Sequence, residues 1–281
     1  MQQIDPGFLR PLLKPRPEES HKGDYGHLLV VAGCEAMPGA AVLATGAALK
    51  SGCGLVTLHS TPRALQSVAV NFPSAMLSED PGTSFSLVPE RLDRFDAIAV
   101  GPGLGRQPQT VGALGRLLRE ASTQGIPMVL DADALNILSA NPKLLDAIPA
   151  GSVMTPHAGE LQRLVGSFTP EEKGSGIRGL CRRTGCVVVS KGFHTGVYTP
   201  EGETLLNTTG GPGLAKGGSG DVLTGLTGGL LARGYSARDA AALGVWIHGF
   251  AGDFMTERCT AEAWNSRDLI EVLYQGFKAM D

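Results

Sequence analysis

Several things are missing from this chain, and each absence narrows the field. No apolar run approaches the ~20 residues that a membrane-crossing helix needs. The N-terminus, M-Q-Q-I-D-P-G-F-L-R-P, lacks the basic-then-apolar order of a signal peptide. The five cysteines, Cys34, Cys53, Cys181, Cys186 and Cys259, are odd in number and never stand in C-x-x-C spacing. That argues against a disulfide framework or a zinc site and points to reduced thiols in a cytoplasmic protein. A strong excess of one charge is missing too. The formal net charge is −3, with no polybasic run, which argues against broad nucleic-acid binding and membrane-surface attachment. Two common phosphate-binding signatures are also absent. No G-x-x-x-x-G-K-[ST] occurs, so a P-loop is excluded. The G-P-G-L-G at 101–105 is not the dinucleotide fingerprint, because Pro102 removes an N–H which that turn uses.

What is present is a soluble α/β composition. Of 281 residues, 42% are hydrophobic, enough for a sizeable core, and 39 are glycine, about twice the average share. Short apolar strands alternate with helical stretches. Strands are predicted over His27–Ala32, Leu55–His59, Ala97–Val100, Pro127–Leu130, Ser152–Met154 and Cys186–Ser190. Helices are predicted over Pro38–Lys50, Val111–Ala121, after Pro156, and over Val222–Leu231 and Ala237–Phe254. The stretch T-G-V-Y-T-P-E-G-E-T-L-L-N reads as a hairpin turning near Pro200–Gly202. This alternation predicts a mostly parallel sheet with helices on both faces. No linker or internal repeat divides residues 1–281, so one domain is expected, with Asp80–Asp93 as a polar, irregular surface excursion.

In open parallel sheets ligands bind beyond the carboxyl ends of the strands, and the distinctive residues of this chain fall there. Gly101–Gly105 reads either as a tight strand-to-helix turn or as a close approach to a ligand. Asp131 and Asp133 end a strand; Asp133 reads as a helix cap or as an acid ordering metal or water. His157 and Glu160, three residues apart, read as facing one cleft or as an ordinary helix start. Lys191-Gly192-Phe193-His194-Thr195 offers a lysine and a hydroxyl around a flexible turn, suited to phosphate unless the lysine is merely solvated. The sharpest signal is N-T-T-G-G-P-G-L-A-K-G-G-S-G-D-V-L from Asn207, with six glycines between Asn207 and Gly220 and an aspartate, Asp221, where a helix is expected to begin. Backbone N–H groups at such a start bind anions. An acid beside them points to phosphoryl transfer with a carboxylate base.

Gly218-Ser219-Gly220-Asp221 resembles the Gly-x-Gly-Asp element of ribokinase-like kinases, and His157-Ala158-Gly159-Glu160 resembles an altered form of their Asn-x-x-Glu magnesium motif. K-G-D-Y-G-H, M-P-G-A-A-V-L-A, S-G-C-G-L-V-T, G-P-G-L-G, L-D-A-D-A-L-N, T-P-H-A-G-E and K-G-G-S-G-D-V-L-T-G, spread from about Ser20 to Phe254, together resemble the ADP-dependent NAD(P)H-hydrate dehydratases. The resemblance implies a ribokinase-like three-layer α/β sandwich without a separate lid domain. It implies dehydration of the S-epimer of hydrated NADH or NADPH (NADHX, NADPHX) with ADP, or ATP, as phosphoryl donor, giving AMP and phosphate. By the same resemblance Ala40, Gly103, Gly105, His157 and Asp221 would contact the hydrated cofactor. Lys191, Gly192, Phe193, His194, Thr195 and Gly220 would contact the adenine nucleotide. Gly218, Ser219 and Gly220 would form the anion hole beside the catalytic Asp221, and Mg²⁺ would be held through water by Glu160. A cytoplasmic homotetramer working with a separate epimerase is expected, since 281 residues leave no room for a fused epimerase domain. The alternative is a small-molecule kinase of the hydroxyethylthiazole- or pyridoxal-kinase type.

Overall fold

The structure is a computed structural model and describes residues 1–280. Its strands are β1 (Gln2–Ile4), β2 (His27–Val31), β3 (Leu55–Ser60), β4 (Met76–Glu79), β5 (Ala97–Val100), β6 (Met128–Leu130), β7 (Val153–Met154), β8 (Val187–Ser190), β9 (Thr195–Tyr198) and β10 (Thr204–Asn207). They form one sheet in the order β1-β10-β9-β8-β7-β6-β5-β2-β3-β4. The stretch from β8 to β4 is parallel throughout. β9 runs antiparallel to both β8 and β10, and β1 pairs parallel with β10.

The helices are α1 (Pro6–Leu9), α2 (Pro38–Leu49), α3 (Pro62–Asn71), α4 (Pro108–Gln124), α5 (Ala132–Ala140), α6 (Ala158–Val165), α7 (Pro170–Thr184), α8 (Ser219–Ala232), α9 (Ala237–Cys259) and α10 (Ser266–Lys278). Strand β2 shows how the layers arise. Alternate side chains of a strand point to opposite faces. Leu28 and Val30 join a core with α2, α3, α8, α9 and α10, while Leu29 and Val31 join a second core with α4, α5, α6 and α7. An H-L-L-V-V run is apolar on both faces because both are covered. The result is the expected three-layer sandwich.

The expected strands and helices all form, with shifted ends: α4 runs from Pro108 to Gln124 and α9 continues to Cys259. Helix α8 starts at Ser219, so Asp221 lies inside its first turn instead of opening it. The segment Asp80–Asp93 is irregular, as expected, but it is not a mere surface excursion. Asp80 is fully buried and accepts from the N–H groups of Gly82 (2.9 Å), Ser86 (2.6 Å) and Leu87 (2.9 Å) and from the Ser86 hydroxyl (2.7 Å). Burial pushes its carboxyl up, but these donors together bring it below the ordinary value. The segment looks polar in sequence because its polar groups satisfy one another.

Helices α2 and α8 touch backbone to backbone. A Cβ on Gly225 would stand 1.9 Å from the Ala44 carbonyl oxygen, and one on Gly229 would stand 1.9 Å from Ser51 Oγ. The Ala/Gly-rich sequence of both helices permits this approach. Gly225→Ala is therefore expected to lower stability by about 1–3 kcal/mol through overpacking. Thermal denaturation measures it, and an unchanged melting temperature would refute the contact.

Candidate active site

Four adjacent strands, β5, β6, β7 and β8, deliver the site residues at their carboxyl ends, and the N-terminus of α8 is held against the ends of β5 and β6. After β5, the turn Gly101-Pro102-Gly103-Leu104-Gly105 places all three glycines at positive φ (135°, 64° and 76°), the region where a side chain is strained. Asp133 Oδ2 accepts the Gly105 N–H at 2.9 Å, so Asp133 braces this turn. Its neighbour Asp131 caps α5 by position and is buried. Asp131 Oδ1 meets Lys191 Nζ at 2.8 Å, and Asp131 Oδ2 accepts the Thr224 hydroxyl at 2.7 Å. Lys191 is thus a paired cation rather than a solvated one.

His157 and Glu160 form a capping box at the start of α6. His157 Nδ1 accepts from Gly159 N (3.0 Å) and Glu160 N (3.3 Å), which places the ring proton on Nε2, 3.3 Å from Glu160 Oε1. Glu160 Oε2 accepts the His157 N–H at 2.9 Å. Burial raises the Glu160 carboxyl above its ordinary value, against the pull of Lys191. Both Glu160 oxygens are thus engaged, and among the described residues no group of three or more His, Cys, Asp or Glu side chains could hold a metal.

The glycine run has several physical causes, not the single one of anion approach. Gly213 packs on Thr256 and Trp264. Gly218 has φ 87° and lies so close to α2 that a Cβ would stand 2.3 Å from Leu43 Cδ1. Lys216 turns away from the helix start: Nζ donates to the Trp264 carbonyl and lies 4.3 Å over the Trp264 ring. A Cβ on Gly220 would stand 3.2 Å from Lys191 Nζ. The Ser219 N–H reaches back to Lys216 O at 3.3 Å, whereas among the described residues no backbone carbonyl takes the N–H groups of Gly220 and Asp221. Those two donors, at the positive end of the helix dipole, leave the helix start able to receive an anion.

Asp221 is pushed up to about 7, first by burial and then by Asp131, with Lys191 opposing. His248 on α9, which sequence reading passed over, donates from Nε2 to the Ser219 carbonyl (2.9 Å) and lies 3.2 Å from its hydroxyl. Burial holds its pKa down to about 4, so the ring is neutral near pH 7. These groups border a cleft of about 870 Å³. Of the residues singled out from sequence, Asp221, Gly220, Ser219, His157, Glu160, Lys191, Gly192, Phe193 and Thr195 line it. His194 stacks on the exposed Phe193 at the rim, with centroids 4.4 Å apart. Gly218 sits behind the helix start. Ala40 and Gly103 adjoin each other on the α2 side, where a Cβ at Gly103 would stand 2.7 Å from Ala40 Cβ, and with Gly105 they lie outside the cleft lining. Thr224 was also passed over; its signal is the D-V-L-T spacing, which puts it on the same helix face as Asp221.

Residues 28–275 match the family model described as NAD(P)H-hydrate dehydratase. The chain belongs to the NAD(P)H-hydrate dehydratase family. It is 40% identical over 252 residues to the ADP-dependent (S)-NAD(P)H-hydrate dehydratase of Neisseria meningitidis, covering 88% of this chain and 82% of that one. It is 39% identical to the bifunctional NAD(P)H-hydrate repair enzyme of Moorella thermoacetica over 92% of this chain, and it spans 51% of that relative's length. Among solved structures, the Bacillus subtilis ADP/ATP-dependent NAD(P)H-hydrate dehydratase co-crystallised with ATP/Mg²⁺ superposes with TM-score 0.86 and 29% identity, covering 100% of this chain and 99% of that one. A Pyrococcus horikoshii hydroxyethylthiazole kinase, at TM-score 0.63 and 17% identity, shares the fold.

The Asp221 carboxyl has consequences for stability. Its folded pKa, about 7, lies above the ordinary 3.8, so the folded state binds more protons between those values and its stability falls as pH rises through that window. Asp221→Asn removes the loss. The variant is expected to melt higher than the wild type at pH 8, with the difference shrinking towards pH 4. A difference independent of pH would contradict the assignment.

Proposed function

We propose that this chain dehydrates the S-epimer of hydrated NADH and NADPH at the expense of ADP, releasing AMP and phosphate. The observation that carries the proposal is Asp221, a carboxyl with a pKa near 7 inside the first turn of α8, beside the unpaired N–H groups of Gly220 and Asp221. A base poised near neutral pH suits removal of a hydroxyl proton, and the helix start suits a phosphoryl group in transit.

The chemistry explains why a dehydration would use this site. Hydroxide leaves poorly, since water has a pKa of about 15.7. A phosphate monoester's second pKa is about 6, so phosphate leaves far more readily. On this reading Asp221 takes the proton of the ring hydroxyl as its oxygen attacks the β-phosphorus of ADP, and AMP departs. The lone pair of the ring nitrogen then expels phosphate, and loss of a proton from the adjacent ring carbon restores the double bond. Ala40 and Gly103 would wall the hydrated ring, and Lys191–Thr195 would border the nucleotide. ATP serves as an alternative donor on this reading, in keeping with the ATP/Mg²⁺ in the B. subtilis relative. Mg²⁺, which would neutralise phosphate charge, would arrive with the nucleotide, because Glu160 is taken up by the α6 cap.

The test is direct. Protein incubated with hydrated NADH and ADP should restore reduced-nicotinamide absorbance and release free phosphate, one per cofactor repaired. A stable phosphorylated product without recovered absorbance would identify a kinase instead. Asp221→Asn should lower kcat by about 10²–10⁴-fold with little change in nucleotide affinity, and near-normal turnover would sink the assignment of the base.

A further inference from the structure

Asp131 has no role in the scheme above, yet the structure is built around it. It is 1% exposed, and each of its carboxylate oxygens is committed, one to Lys191 Nζ at 2.8 Å and the other to Thr224 Oγ1 at 2.7 Å. The three residues come from the end of β6, the end of β8 and the face of α8 that also carries Asp221. The backbone is shaped to keep Asp131 there. The next residue, Ala132, has φ 48° although it is not glycine, and a Cβ on Gly101 would stand 1.9 Å from the Asp131 carbonyl. Gly220 leaves room for the pair: a Cβ there would stand 3.2 Å from Lys191 Nζ and 3.4 Å from Asp131 Oδ2.

We propose that Asp131 is a positioning residue that holds the Lys191 ammonium against the first turn of α8, so that its charge serves both Asp131 and the phosphoryl group reacting beside Asp221. Thr224 anchors Asp131 to the helix that bears the base. Asp131 is buried while Lys191 stays partly exposed towards the cleft, so losing Lys191 would leave the buried carboxylate uncompensated. An incoming phosphoryl oxygen would give Lys191 a second acceptor without requiring it to leave the first.

The charge balance around Asp221 supports this. The ionisable groups that share the cleft with it or act on it are Asp131 at the end of β6, Asp133 in α5, His157 and Glu160 at the start of α6, Lys191 at the end of β8, His248 of α9, and Lys216, whose ammonium is turned to Trp264. After burial, Asp131 is the largest influence keeping the Asp221 proton on, and Lys191 is the one that opposes it. Asp131 therefore acts on the base in two opposed ways, by its own charge and by keeping Lys191 close.

The inference rests on the proposed phosphoryl chemistry, and its test separates the two. Asp131→Asn retains size and an acceptor for Thr224 but deletes the charge; Lys191→Met deletes the opposing charge. In the free protein, carboxyl NMR of Asp221 should titrate about one pH unit lower in Asp131→Asn and higher in Lys191→Met. This readout needs no turnover. In the dehydratase assay with ADP and hydrated NADH, the acid limb of kcat/KM should shift in the same two directions, and kcat in Asp131→Asn should fall at least tenfold. If wild type turns over and both variants lose activity with the limb and the NMR titration unmoved, Asp131 is structural only and the inference fails. If wild type shows no dehydratase activity but the two NMR shifts appear, the positioning of charge stands and the proposed reaction is what fails.

Discussion

The structure depends on the absence of side chains between α2 and α8. Helix α8 carries Gly220, Gly225, Gly228 and Gly229, each a residue that costs a helix interior about 0.5–1 kcal/mol relative to alanine. That penalty is offset by close approach. Gly225 meets the Ala44 carbonyl, Gly229 meets Ser51, and Gly228 fits over Ala99 of β5, where a Cβ would stand 2.8 Å from that of Ala99. Because α8 can sink between α2 and the sheet, its first turn arrives at the ends of β5 and β6. Thr224 then reaches Asp131, and the free N–H groups of the turn face the cleft.

The electrostatics follow from that placement. A buried carboxylate needs partners, and Asp131 has two. Lys191 is one of them, so its charge is largely spoken for when Asp221 ionises in the same space. Burial and the Asp131 charge then outweigh Lys191, and Asp221 holds its proton up to about 7. The perturbed acid is the consequence of packing three ionisable groups around a helix start with one cation between two carboxylates. Perturbed groups in a cleft mark functional sites more often than structural ones, and here the acid stands beside two helix-start N–H groups that no backbone carbonyl among the described residues takes. His248 completes the arrangement from below. Being buried, it stays neutral, and it fixes the Ser219 carbonyl without adding charge.

Much of this was legible in the sequence, for reasons that individual elements make plain. Strands such as Ala97–Val100 are apolar on both faces and end in glycine, so they announce a parallel sheet. The edges were harder. β1 and β4 are three and four residues long and partly exposed, whereas α3, α7 and α10 went unread although their apolar residues recur at helical spacing. At the site, Asp221 and the glycine run stood out by composition, although part of the run serves close packing. The roles of Asp133 and Lys216 did not, since each depends on a partner distant in sequence. Lys216 in K-G-G-S-G-D sits beside an anion-binding turn in sequence, yet its ammonium is drawn to the carbonyl and ring of Trp264. Asp80 was misread for a related reason: four internal donors make a polar loop as well buried as an apolar one.

A helix start with an acid beside it does not by itself choose between two reactions. A kinase and a dehydratase on this frame share every event up to phosphoryl transfer: a base takes a hydroxyl proton, and a helix start stabilises the moving charge. The two outcomes diverge only afterwards, according to what is bonded to the phosphorylated carbon. With a ring nitrogen next to that carbon, phosphate becomes a leaving group; without one, the ester persists. The choice of outcome therefore rests on the pocket that selects the acceptor, not on Asp221. The wall where Ala40 meets the Gly101–Gly105 turn is rigid, braced by Asp133 and too tightly packed at Gly103 to admit a side chain.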